Sequence, residues 1–158
     1  MSAYTPELQK LVAHQIELEF LASHTYRGYG AFFNHPKVSY PGFGKYFHGE
    51  AAEELKHADA FIKYHQDRGE FVKPPAIPAL NNEFTIGNAL IQAIQLEEAV
   101  RDNLVKINII ADPQTQVFIQ DYIVIQTDSI AELTTLLSKV LRVENDSVGL
   151  YLIDKALQ

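Results

Sequence analysis

The sequence predicts an all-α fold: a four-helix bundle with a long crossover between helices 2 and 3 and a short fifth C-terminal helix. Three observations carry this. Apolar residues recur at three- and four-residue spacing through four long windows. Helix-start signals stand at the heads of those windows. Between the second and third windows, Pro74, Pro75 and Pro78 fall in a stretch that no helix can cross. The whole chain, 1–158, reads as a single domain, a length that suits one.

Each element follows from local chemistry. Thr5 can cap the first helix, Pro6 fits its first position, and Glu7 suits the positive end of the dipole. Leu8, Leu11, Val12, Gln15, Glu19, Ala22, Tyr26 and Phe33 then share a face, and the pattern stops near Asn34-His35-Pro36. Ser39-Tyr40-Pro41-Gly42 is a turn and a second helix start. Phe47, Glu50, Glu54, Ala58, Phe61 and His65 form the second stripe, and Gly69 ends it. Residues 70–84 are the crossover, long for a connection in a compact domain. Thr85 opens the third helix, with Leu90, Ala93, Glu97, Val100, Leu104 and Ile107 on one side. Asp112-Pro113 starts the fourth after almost no connector; its stripe is Ile119, Tyr122, Gln126, Ile130, Leu133, Leu137 and Val140. Residues 143–146 are a break, and 147–157 form the short fifth helix. Helices of about 25 to 30 residues are roughly 40 Å long. Two antiparallel hairpins joined by one long crossover make the ferritin-like form of the four-helix bundle.

Composition narrows function. Hydrophobic content of 47% and charged content of 21% are normal for a globular protein. There is no cysteine, which excludes disulfides, thiolate metal sites and cysteine nucleophiles. The chain carries 20 acidic against 13 basic residues, a net charge of −7. With no basic run, the footprint of a nucleic-acid binder is missing, and the acidity favours cations. The N-terminal residues lack the basic and apolar regions of a leader, and no apolar run approaches the roughly 18 residues that span a bilayer. A cytoplasmic protein with no membrane and no nucleic-acid partner is expected.

Glu54 and His57 stand at i and i+3, so on a helix they project from one face. Glu19, Glu97 and Gln126 each interrupt the apolar stripe of a different helix, near its middle. A single glutamate in such a stripe usually snorkels to water. Four helices each placing such groups at a similar height is a different matter. Three buried, uncompensated carboxylates would cost many kcal/mol, and a bound cation removes that cost. Oxygen ligands with one imidazole suit iron or manganese and admit zinc. Carboxylates can bridge two metals. Tyr26, two turns beyond Glu19, is placed to hydrogen-bond a ligand or supply an electron. Glu50 and Glu53 flank Glu54 as a solvated acidic face, an outer shell or an entry path. His14, His24, His35, His48 and His65 have no partner spacing, and most are expected at the surface.

Over residues 8–157 the chain resembles the ferritin family, in its bacterial non-haem form. Ile16-Glu17-Leu18-Glu19-Phe20-Leu21-Ala22-Ser23-His24-Thr25-Tyr26 is similar to the first-helix motif with its iron-binding Glu and nearby Tyr. Glu53-Glu54-Leu55-Lys56-His57 resembles the Glu-Glu-x-x-His signature, and Leu96-Glu97-Glu98 the third-helix ligand. The run 118–126, ending in Gln126, resembles the form whose fourth-helix ligand is Gln, and 149–155 resembles the fifth helix. The resemblance implies iron storage and detoxification by a ferroxidase that oxidises Fe(II) with dioxygen or peroxide at a di-iron site. It also implies mineral storage in a hollow homo-oligomer of 24 subunits. Glu19, Glu54 and His57 would hold the first iron. Glu54 would bridge to a second at Glu97 and Gln126, held weakly by a neutral amide. Glu53 and Asp128 match acids of a third iron site, where Ile125 and Ser129 depart from the pattern. Haem held between subunits by an internal Met is not expected, since the one methionine is Met1. The alternative is a mini-ferritin that protects DNA from peroxide. Those shells have 12 subunits and no fifth helix.

Overall fold

A computed structural model describes residues 4–81 and 83–158. Met1 to Ala3, part of the stretch read for a leader, and Asn82 in the crossover lie outside the described residues. The helices are α1 (Pro6–Phe33), α2 (Pro41–Asp67), α3 (Ile86–Ile110), α4 (Pro113–Val143) and α5 (Ser147–Leu157). No strand occurs among the described residues. α1 lies along α2, α3 along α4, and α1 meets α3 to close the bundle. The crossover runs without regular structure. The all-α reading and its five elements therefore hold.

The caps act as their residue types dictate. Thr5 accepts a hydrogen bond from the Leu8 amide at 3.3 Å, Thr85 from Asn88 at 3.1 Å, and Asp112 from Thr115 at 2.9 Å. Gly69 follows α2 with φ of 94°, the left-handed conformation that glycine adopts without penalty. The start of α2 is different. Tyr40 supplies no side-chain cap. Asp154 of α5 does so from a distance of 111 residues: its Oδ1 accepts from the Phe43 amide at 2.9 Å. α5 sits so close that a Cβ on Gly42 would lie 1.9 Å from the Asp154 carbonyl oxygen.

The opposite end is fastened by Arg68. Its guanidinium pairs with Asp112 at 2.6 Å, donates to the Tyr64 hydroxyl at 2.6 Å, and stacks on the Tyr4 ring at 4.4 Å. Arg68 holds the Asp112 carboxyl down at about 2. His65, one residue away, is buried and bonded to the Tyr4 hydroxyl at 2.7 Å, contrary to the surface position expected for most of the histidines. His24, by contrast, bonds the Pro78 carbonyl at an exposed site.

The apolar interior forms two clusters. One gathers Tyr26, Tyr29, Phe33, Phe43, Phe47, Leu90 and Leu133. The other gathers Leu8, Val12, Ile16, Phe61, Leu104 and Ile119. On every one of the four long helices, the positions between the two clusters are Glu19, Glu54 with His57, Glu97 and Gln126. The helices thus bring these groups to one height.

Because a methyl at position 42 collides with backbone, Gly42→Ala is expected to destabilise by about 1–3 kcal/mol and to loosen α5. Asp154→Ala, which removes only the cap, costs about 1 kcal/mol. Thermal unfolding with limited proteolysis after residue 143 checks the order; equal stability of Gly42→Ala and the parent would contradict this packing.

Candidate metal centre

Glu19, Glu54 and His57 offer ligand atoms that all lie within 4.8 Å of one another. His57 Nδ1 is 3.8 Å from Glu19 Oε2 and 3.5 Å from Glu54 Oε2. Those separations are too long for hydrogen bonds. Ligands about 2.0–2.2 Å from one metal ion sit roughly 3–4 Å apart, so the spacing suits a shared cation. The same two oxygens, Glu19 Oε2 and Glu54 Oε2, are buried and are the ones without a hydrogen-bond partner among the described residues. Buried carboxylate oxygens are seldom left so.

The rest of the donor set surrounds Glu97. Tyr26 donates to Glu97 Oε1 at 2.6 Å and lies within 3.4 Å of the Ala93 carbonyl. The Gln126 amide donates to Glu97 Oε2 and, at 3.0 Å, to the Glu97 carbonyl. Both Glu97 oxygens are thereby held, one by a phenol and one by an amide. Gln126 is buried and directed at Glu97, the position its stripe gave it. His57 closes the side of the site edge-on against Tyr122, 5.4 Å between centroids.

Glu53 does not join this group. Its side chain is 55% exposed and pairs with Lys56 at 3.0 Å. Glu50 is half-buried. Burial and the charge of Glu132 push its carboxyl up to about 7, helped by Glu97 and Glu53.

Electrostatics separate the acids. Burial raises Glu54 well above the usual carboxyl range, and its neighbours Glu19, Glu97 and Glu50 push it further. Glu97 is raised too, by burial, although Tyr26 and Gln126 partly offset this. Burial opposes ionisation of Glu19 as well, but Glu54, His57 and Gln15 face it and hold its carboxyl below the usual value. Burial pulls His57 down, yet Glu19, Glu53 and Glu97 keep it above its ordinary range. Burial and the Glu97 charge drive the Tyr26 phenol up, so it is a hydrogen-bond donor. The pocket therefore favours the protonated forms of Glu54 and His57.

Sequence reasoning missed two groups. Asn103 of α3 is buried and bonded to Gln15 at 2.9 Å. Gln15 in turn donates to Glu19 Oε1 at 2.9 Å. Gln15 stood in the apolar stripe of α1, but no spacing rule couples it to a residue 88 positions away.

Four long helices holding carboxylates, an imidazole and an amide at one height define a metal-binding helix bundle of the ferritin-like class. Comparison with known proteins gives the same answer. The ferritin-like domain family matches residues 9–143. A ferritin of Pacifastacus leniusculus is 31% identical, the match covering 91% of this chain and 83% of that protein. The soma ferritin of Lymnaea stagnalis is 29% identical across 96% of this chain and 91% of its own. A chloroplastic ferritin of Malus baccata var. xiaojinensis is 31% identical, and the matched region is 60% of its length. The chain belongs to the ferritin family, whose members oxidise Fe(II) and store iron inside oligomeric protein shells. Among the described residues no helix is long and apolar enough to cross a membrane.

The raised Glu54 carboxyl predicts a pH signature. The folded state keeps a proton that the unfolded chain loses above about 4.5, so this group's contribution to stability falls as pH rises through that value. Glu54→Gln mimics the protonated acid. It should raise the unfolding temperature of the metal-free protein at pH 8 and leave it unchanged at pH 4. An equal shift at both pH values would rule out a perturbed Glu54.

Proposed function

We propose that this chain builds a di-iron ferroxidase centre within each subunit. Glu19, Glu54 and His57 hold one Fe(II). Glu54 bridges to a second, which Glu97 and Gln126 hold more weakly because Gln126 is neutral. The observation that carries this reading is the pair of buried carboxylate oxygens that face an imidazole nitrogen and have no hydrogen-bond partner among the described residues. Two Fe(II) ions supply two electrons, enough to take dioxygen to peroxide or peroxide to water. The protein's part is to bind, to exclude water and to manage protons. Tyr26 orients Glu97 through its short hydrogen bond and is the phenol nearest that ligand. Exposed Glu53 and half-buried Glu50 of α2 form an acidic route by which iron passes on. Haem has no part in this scheme.

The assembly proposed is a homo-oligomer of 24 subunits enclosing ferric mineral. Two features favour it over a 12-subunit mini-ferritin: α5 is present, and the proposed first iron's ligands come from one chain. A cytoplasmic location, with no nucleic-acid or membrane partner, belongs to the same proposal; cell fractionation checks it.

Fe(II) oxidation, followed by ferric-oxo absorbance, tests the assignment. Glu54→Ala and His57→Ala should each fall to the rate of Fe(II) in protein-free buffer, with native helicity retained. Initial rates equal to the parent's would refute the assigned centre. Sedimentation of the purified protein separates about 12 from about 24 copies.

A further inference from the structure

We infer that Gln15 and Asn103 are positioning residues that fix which oxygen of Glu19 meets the metal. The chain of contacts begins at a group that can only accept. The Asn103 amide nitrogen donates to the Leu11 carbonyl at 3.0 Å, and a backbone carbonyl cannot reverse that role. The amide orientation of Asn103 is thereby set. Its second hydrogen points to Gln15 Oε1, at 2.9 Å. Gln15 must then present its own amide nitrogen to Glu19 Oε1, at 2.9 Å. One carboxylate oxygen is occupied. The other, Oε2, has no partner among the described residues and lies 3.8 Å from His57 Nδ1.

Burial makes this relay directional. Gln15 is 0% and Asn103 4% exposed, so water cannot substitute for either partner. A flipped Gln15 would set its carbonyl oxygen against the Glu19 carboxylate and its NH2 against the Asn103 NH2. Both contacts are repulsive. A α1 backbone carbonyl, through two amides from α3 and α1, thus holds Glu19 to one metal-facing oxygen. Glu97 has its own restraints, Tyr26 and Gln126, so the two ends of the site are positioned independently. Outer groups of this kind typically change metal affinity about 10- to 100-fold when removed.

This inference rests on Glu19 being a metal ligand, and the test separates the two claims. Co(II) is titrated calorimetrically into the assembled, metal-free protein. Glu19→Ala identifies the binding event that depends on Glu19. Gln15→Met fills a similar volume and removes the donor. It should weaken that same event about 10- to 100-fold, alter the visible Co(II) spectrum as Glu19 becomes free to chelate, and leave helicity, shell size and the remaining binding unchanged. Asn103→Leu, close in size and without a donor, leaves Gln15 unheld and should weaken the same event. Gln15→Met binding like the parent while Glu19→Ala loses the event overturns the positioning role. So does a uniform loss of every event with helicity and shell size retained, which would put Gln15 in general packing and not at Glu19. Glu19→Ala binding like the parent overturns the underlying ligand assignment. If Gln15→Met does not assemble, Asn103→Ser, too short to reach Gln15, carries the same outcomes.

Discussion

Three carboxylates occupy the middle of the bundle, between two apolar clusters, with nearly all of their surface withdrawn from water. Much else in the structure answers to that constraint. Like charges so placed cannot all ionise unaided. The three groups respond unequally: Glu19 is held below the usual carboxyl range, Glu54 is pushed well above it, and His57 is held above its ordinary range. Among the described residues, one oxygen on each of Glu19 and Glu54 faces the other groups of the site with no hydrogen-bond partner. In the proposed centre a divalent ion takes the place of the protons and gives those oxygens partners, so burial of the acids and affinity for metal have the same origin.

Bringing these polar groups from four helices to one height requires the helices not to slide. The two ends of the bundle supply fixed points. Arg68 ties the end of α2 to the start of α4 through Asp112 and stacks on Tyr4. At the other end, Asp154 of α5 caps α2, with Gly42 allowing the close approach. Between them, Tyr26 to Glu97 and Gln126 to Glu97 link α1 and α4 to α3 inside the site itself. Each fastening is worth little alone. Together they restrict register, which matters because one residue of slip on an α-helix turns a ligand by about 100°.

Local chemistry made the helices, and the inward position of most of the candidate site residues, readable. Proline at the first helical turn, capping Thr and Asp, and Gly69 past the end of α2 all act within a few residues of where they stand. Glu19, Glu97 and Gln126 could be found because each breaks an apolar stripe, and the stripes are short-range patterns. What escaped reading depends on contacts far apart in sequence. Asp154 looks like a solvated residue of a short helix until α5 folds onto α2. His65 lies on its stripe, yet only the return of Tyr4 explains its burial. Asn103 is one polar residue among many on α3; its role appears once α1 sets the Leu11 carbonyl and Gln15 beside it. Glu53 shows the reverse: adjacency to Glu54 marks it as a ligand candidate, but a one-residue step around the helix turns it toward Lys56.

The most direct measurement is anomalous diffraction at the iron absorption edge from crystals soaked anaerobically in Fe(II). The account predicts one peak bounded by Glu19, Glu54 and His57 and a second, weaker peak on the Glu54–Glu97 side. Iron bound only at exposed acids such as Glu53, with no density among the buried carboxylates, would contradict it.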